Sequence, residues 1–204
     1  MKKVIASAAF GLAIAGMASS AQAQDIAYYA GLGAGAVSVD YKATGIDQKN
    51  ASVGAFLRFG ADVNEYFGAE LRVGMTGNDK KSYAAGVVGA SATDLSFSSP
   101  VFVSYLGKFK YPVSSDVDLY MLAGATTARI KGKSASAAGT FTQTQLKTGL
   151  SLGAGVDYHM DNKISVGGEW TQYMFPVKLN QGAVFAAGSK ARMWGVVGTV
   201  GYHF

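Results

Sequence analysis

Towards the end of the chain, apolar side chains recur at every second position. Trp194, Val196, Val200, Tyr202 and Phe204 share one face with Gly198 among them, while Gly195, Val197, Thr199, Gly201 and His203 share the other. A period of two belongs to a β-strand. The same alternation elsewhere predicts eight strands in all, over 27–38, 51–62, 67–76, 96–110, 118–130, 143–160, 163–175 and 191–204. The connections after the second, fourth and sixth are short: 63–66, 111–117 with Pro112, and 161–162. Those after the first, third, fifth and seventh are long and polar or rich in small residues. An even number of antiparallel strands, with short turns at one end and long loops at the other, is the pattern of a transmembrane barrel. The expected fold is therefore all-β, an eight-stranded antiparallel up-and-down transmembrane β-barrel with both termini on the periplasmic side.

Several strands set apolar residues on one face against glycine and charge on the other. The first places Tyr28, Ala30, Leu32, Ala34 and Ala36 against Tyr29, Gly31, Gly33, Gly35 and Val37. The sixth places Leu150, Leu152, Ala154, Val156 and Tyr158 against Gly149, Ser151, Gly153, Gly155 and Asp157. Alternation alone would also fit a soluble lipocalin-like barrel with an apolar cavity. The glycines oppose that alternative, because a solvated face has no reason to lack side chains, whereas an eight-stranded lumen is barely wide enough for them. The glycine-bearing face is thus expected inside and the apolar face against lipid. The fifth strand is apolar on both faces and remains unoriented. Tyr28, Phe109, Tyr158, Tyr202 and Phe204 are expected to mark the periplasmic interface, and Trp194 with Trp170 the outer one.

Composition strengthens the membrane reading. Charged residues make up 15% of the chain, against about 25% in soluble domains. No segment beyond residue 23 is apolar enough for a helical span, which leaves strands, since only helices and closed barrels satisfy the backbone in lipid. At the start, Lys2 and Lys3 precede an apolar stretch from Val4 to Met17 and small residues ending in Ala21-Gln22-Ala23. This reads as a secretory signal over 1–23, cleaved after Ala23, with Ala21 and Ala23 as the recognised small residues and 24–204 as one barrel domain. The stretch is shorter than the ~18 residues of a membrane anchor. Its removal takes two lysines from 18 basic and 13 acidic residues, leaving a charge of +3, too slight to argue for nucleic acid. Cysteine is absent, which excludes disulfides and thiolate chemistry.

Chemistry is concentrated on the glycine-bearing face, where Arg58, Glu70, Arg72, Lys108, Lys147, Asp157 and Glu169 are expected to form a charge network in the lumen. In the hairpin joining the second and third strands, opposed residue numbers sum to an even number. A sum of 128 sets Arg58 opposite Glu70, whereas 130 sets it opposite Arg72. Like charges directly opposite are destabilising, so the Arg58–Glu70 register is expected. Such a network either plugs the barrel or lines a narrow ion path, and eight strands favour the plug. Catalysis is not expected. The only histidines, His159 and His203, fall at the periplasmic ends of their strands with no serine nucleophile evident at either level. They also lack a clear third ligand for a metal, and no cofactor is expected. Gly31-Leu32-Gly33-Ala34-Gly35 is not a dinucleotide fingerprint, and Asn50-Ala51-Ser52 is a weak glycosylation pattern. The long loops remain. Loop two, 77–95, begins with Asp79-Lys80-Lys81, and loop four carries Lys178, Phe185, Lys190 and Arg192. Basic residues there are expected to meet lipopolysaccharide or a surface ligand.

The chain resembles the OmpA/OmpX-like outer-membrane β-barrel family. The residues carrying the resemblance are Gly31-Leu32-Gly33-Ala34-Gly35, Phe67-Gly68-Ala69-Glu70-Leu71, Gly153-Ala154-Gly155-Val156-Asp157-Tyr158, Gly168-Glu169-Trp170 and the terminal Gly201-Tyr202-His203-Phe204. It implies a monomer in the bacterial outer membrane, with Val200, Tyr202 and Phe204 read by the barrel assembly machinery as a C-terminal assembly signal. Unlike longer members, the chain is expected to carry no periplasmic peptidoglycan-binding domain. A structural or surface-interaction role follows, with a narrow porin-like pore as the alternative and a lipid-modifying enzyme third, because one fold hosts many functions.

Overall fold

A computed structural model describes residues 26–49, 51–160 and 163–204. The signal segment with Ala21 and Ala23, Asn50 of the glycosylation pattern, and the 161–162 turn lie outside the described residues. The strands are β1 (Ala27–Ala43), β2 (Ile46–Gln48), β3 (Ala51–Asp62), β4 (Phe67–Thr76), β5 (Asp79–Tyr83), β6 (Thr93–Ser98), β7 (Phe102–Pro112), β8 (Val117–Ser136), β9 (Gly139–His159), β10 (Ile164–Lys178) and β11 (Lys190–His203). Eight of them close a ring in the order β8-β7-β4-β3-β1-β11-β10-β9, with β8 pairing β9 to complete it and every pairing antiparallel. The fold is therefore the expected eight-stranded barrel. Phe204 N bonds to Tyr28 O at 3.0 Å, which brings the first and last ring strands together at the short-turn end.

β3 and β4 match the expected 51–62 and 67–76. The strand expected over 96–110 is instead divided between β6 and β7. The chain kinks at Ser99–Pro100–Val101, where Pro100 has no N–H for a ladder and Thr76 and Ser99 exchange two bonds of 2.8 Å. β6 and β7 both pair with β8, one above the other with the register displaced by one residue, so β6 continues the line of β7 along β8 beyond the top of β4. β2 and β5 were not expected as strands, and of β6 only residues 96–98 were. Together with the tops of β8 and β9 they project beyond the ring at the long-loop end.

The outward face carries an exposed apolar band that includes Leu32, Leu57, Val73, Leu150 and Val196. Tyr28, Phe67, Phe109, Tyr158, Tyr202 and Phe204 surround its periplasmic edge, with Phe67 and Phe109 edge-to-face at 5.5 Å. From Phe204 to Trp194, a strand tilted by about 40° and rising about 3.4 Å per residue climbs about 25 Å, the height of the apolar band in outer-membrane barrels. Trp170 pairs with Val196, one outward step deeper than Trp194.

The inward face fills the ring in two storeys. The lower is ionic. The upper is an apolar cluster of Val37, Phe56, Phe102, Tyr173, Met174 and Met193 that continues upward into Tyr41, Leu95, Phe97, Ile130 and Phe185. Glycine makes both storeys fit. A Cβ on Gly60 would lie 2.1 Å from the Tyr29 ring, and one on Gly33 would lie 2.4 Å from the Phe56 ring.

One seam is not laddered to the top. β9 and β10 pair only as far as Leu152–Gln172, above which β10 shifts register twice on its way to Lys178. Pro176 lies in that stretch, where a strand interior would need an N–H donor. Side chains take over. Met174 and Val177 pack against Gly149, and Gln143 and Gln145 bond to the backbone of Asn180, Val184 and Phe185.

Candidate functional site

Six charged side chains meet in the lower storey, each 4% exposed or less: Arg58, Glu70, Arg72, Lys108, Asp157 and Glu169. They form one chain of alternating sign. Glu169 grips Arg72 with both carboxylate oxygens, one at 2.8 Å from Nη2, and Arg72 Nε donates to Glu70. Glu70 lies 3.9 Å from Arg58 Nη1, Arg58 Nη2 lies 3.7 Å from Asp157, and Asp157 holds Lys108 Nζ at 2.7 Å. β4 and β10 stand on opposite sides of the ring, so the Arg72–Glu169 pair crosses the lumen. Three cations balance three carboxylates, which burial requires because an unpaired buried charge costs several kcal/mol.

The register differs from the expectation. Residue numbers sum to 130, with Arg58 opposite Arg72 and Gly60 opposite Glu70. The like-charge objection fails because Glu70 reaches both guanidinium groups from the neighbouring position, while Glu169 takes the far edge of Arg72. On its other side, in the β1–β3 ladder, Gly60 is opposite Tyr29, leaving room for that ring. Arg58 and Glu70 are still an ion pair, but a diagonal and loose one. Lys147 is the second correction. It faces inward but higher up, with Nζ 3.4 Å from Asn180 Oδ1, and it takes no part in the ionic chain.

Two residues central to this storey were missed. Tyr29 OH donates to Glu70 at 2.6 Å and Tyr120 OH to Glu169 at 2.9 Å, while Lys108 Nζ sits 4.4 Å from the centroid of the Tyr120 ring and 5.2 Å from that of Tyr29. Tyr29 shares the glycine-bearing parity of its strand, a usable signal. Tyr120 lies on the strand that the sequence left unoriented. In the structure its even-numbered residues, including Tyr120, Leu122 and Ile130, face inward, and Leu119 and Met121 face lipid.

Above the ions, Ser104, Thr126 and Ser151 link β7, β8 and β9 by hydroxyl contacts of 2.7 and 2.8 Å. Buried aromatic rings pack above them. Tyr173 lies 5.2 Å from Phe102 and 6.3 Å from Phe56, and Tyr41 stacks on Phe97 at 4.4 Å with Phe185 about 6 Å from both. Tyr41 OH accepts from Ala186 N at 3.0 Å, which ties loop four to this stack.

The projecting strands form a platform at the long-loop end of the ring. β5 pairs β6, β6 pairs β8 and β8 pairs β9 as far as Ser136–Gly139. Arg129, Lys131 and Lys133 are exposed along its outward side. Among the described residues no carboxylate lies within 4.0 Å of these three. Asp94 lies on the same face, opposite Ala135 and diagonal to Lys133, but is engaged by other partners. It holds Lys80 Nζ at 2.7 Å and accepts from Ser82 at 2.6 Å, and these hydrogen bonds hold its carboxyl below the usual carboxylate range.

At the periplasmic end the absence of a serine near the histidines is corrected: Ser165 Oγ lies 3.1 Å from His203 Nε2. The carboxylate in this cluster holds the other histidine, with Asp118 Oδ2 3.1 Å from His159 Nε2, and Ser165 is buried under the ring wall. Nucleophile, base and orienting acid are thus not in series. Among the described residues no three His, Asp or Glu side chains gather to hold a metal. Val200, Tyr202 and Phe204 point outward at the lipid interface, with Phe204 the most exposed.

The profile of the outer membrane protein beta-barrel domain family matches residues 7–204. Among solved structures, OprG from Pseudomonas aeruginosa superposes with a TM-score of 0.53 at 15% identity, covering 90% of this chain and 97% of OprG. Ail, the attachment invasion locus protein of Yersinia pestis, solved with the heparin analogue sucrose octasulfate, gives 0.50 at 20% identity, covering 87% of this chain and 99% of Ail. Neisserial surface protein A gives 0.50 at 15%, covering 87% and 97%. These likenesses are of fold. A search of curated protein sequences finds no match.

Proposed function

Because the chain belongs to the outer membrane protein beta-barrel family, we propose that it is a closed scaffold of the bacterial outer membrane that works at the cell surface, through its β-platform, on anionic partners. The observation that carries this reading is the continuous apolar cluster running from Phe56 and Phe102 inside the ring to Tyr41, Leu95, Phe97 and Phe185 beneath the platform. One set of contacts fills the outer half of the lumen and also fixes the extracellular strands, so the molecule trades a channel for a rigid display surface. Binding residues commonly sit on connections held by such a framework. The basic face of Arg129, Lys131 and Lys133 selects the charge of the partner. The reading is non-enzymatic and monomeric, and it assigns Val200, Tyr202 and Phe204 to recognition by the barrel assembly machinery.

Heparin is the probe. Wild-type protein is expected to bind it at low salt and to release it as salt screens the contact. Changing Arg129, Lys131 and Lys133 together to Gln is expected to weaken binding about tenfold, each exposed pair contributing up to ~1 kcal/mol, with folding unchanged by gel mobility. Binding by the folded triple variant equal to wild type would refute the assignment to this face.

A further inference from the structure

On the side of the ring opposite β8, three lysines form a row. Lys42 on β1 is the direct cross-strand partner of Lys190 on β11, and Lys190 is that of Lys178 on β10. Neighbouring strands lie about 4.8 Å apart, so the three Cα atoms span about 10 Å. Like charges directly opposite destabilise a sheet. Among the described residues no carboxylate lies within 4.0 Å of any of the three amines. All three are exposed, on the face that carries Ala36 and Val196 to lipid further down the same strands.

The row borders a groove of about 300 Å³ lined by Lys42, Lys49, Lys190, Arg192 and Pro176 among others. Its floor is built. Asp40 points outward yet is 4% exposed, because Arg192 Nε donates to it at 2.6 Å and Trp194 Nε1 at 3.2 Å, with Ser38 bonding its other oxygen. This carboxylate fixes the guanidinium beside the girdle tryptophan. Asp47 is the cross-strand partner of Lys42 on β2 and lies 3.3 Å from Lys49, so among the described residues Lys42, Lys49, Lys178, Lys190 and Arg192 outnumber the acids around the groove, Asp40 and Asp47.

Height decides the occupant. Arg192 lies two residues above Trp194, a climb of about 5 Å, and the lysine row four residues above, about 10 Å, for a strand tilted by about 40°. The interfacial zone is about 5–8 Å deep on each side of the hydrocarbon. Arg192 therefore stands within that zone and the lysine row at its outer edge, all pointing sideways from the face that meets lipid further down the same strands. We infer that the Lys42–Lys190–Lys178 row with Arg192 binds the phosphorylated saccharide headgroup of the outer-leaflet glycolipid, holding lipopolysaccharide against β1, β11 and β10.

The test uses the full barrel in phosphatidylcholine nanodiscs doped with bisphosphorylated lipid A or with the same glycolipid stripped of phosphate. Retention through detergent exchange is read by native mass spectrometry. Wild type is expected to retain the phosphorylated form and lose the stripped one. The triple variant Lys42→Gln, Lys178→Gln, Lys190→Gln is expected to lose affinity by about tenfold to a hundredfold, taking about one tenfold step or less per lysine near an anionic surface. The corresponding triple Arg variant is expected to keep it. Equal retention of both glycolipids by wild type overturns the inference, and this arm decides alone if the Gln variant does not fold. Equal retention by the folded Gln variant overturns it too, as does loss of soluble heparin binding in that variant without loss of lipid A.

Discussion

Replacing Arg72 by Met is expected to destabilise the folded barrel by about 3–5 kcal/mol, because it strands two buried carboxylates at once. Glu169 has both oxygens on the Arg72 guanidinium and Glu70 accepts from its Nε. Lys108 and Arg58 remain near Glu70, but Lys108 is held by Asp157 at 2.7 Å and Arg58 lies at 3.9 Å, too distant for a hydrogen bond. Arg58→Met should cost much less, since Arg58 Nε and Nη1 have no hydrogen-bond partner and both its acids keep a closer cation. Changing Arg72 to Met together with Glu70→Gln and Glu169→Gln should recover most of the loss, as neutral groups carry no charge penalty. Urea unfolding of protein refolded in detergent micelles measures all three. Equal midpoints for the Arg72 and Arg58 variants would show that the ionic chain is not organised around Arg72.

The second large effect is expected in the apolar storey. Phe102 is 1% exposed, lies 5.2 Å from the Tyr173 ring, and covers Gly74, where a Cβ would come within 2.6 Å of it. Phe102→Ala should cost about 3–5 kcal/mol by transfer and cavity terms together. Phe56→Ala should be similar, and the pair should be less than additive because both rings rest on Tyr173. Neither change should make the barrel conduct, because the ionic chain below still spans the lumen from β4 to β10. Unfolding midpoints and bilayer recordings on the same preparations check both statements. Openings in the Phe102 variant would mean that the lower storey does not close the passage.

The ring strands were legible because lipid and a glycine-lined lumen impose opposite demands on alternate residues. β3 and β4 could be read to the residue, since a short turn bounds one end and the contrast between faces persists throughout. β8 could not be oriented, and the reason is physical. Lipid lies on one side, and on the other Leu122 packs with Leu106 and Tyr120 while Ala128 and Ile130 join the apolar storey, so the contrast on which period two depends is erased. Tyr120 was lost with it. Lys147 shows a second limit: alternation gives the face of a residue but not its height, and its height sets it against Asn180 rather than among the ions. The Arg58–Arg72 register shows a third, because pairwise charge rules ignore carboxylates arriving from Glu70 in the adjacent position and Glu169 across the barrel. β5 and the first half of β6 went unseen within a loop rich in small residues, since β6 is specified by its pairing with the top of β8, a contact that lies far away in sequence.

Scaffold and pore part most directly at the conductance of single molecules. Wild-type protein, shown folded by its unheated gel mobility and inserted into a planar bilayer, is expected to give no discrete openings, because ions meet a cross-lumen salt-bridge chain and then a stack of aromatic rings. Reproducible unitary openings from verified folded protein would contradict the filled lumen, and the charged chain through Arg58 and Arg72 would then line an ion path.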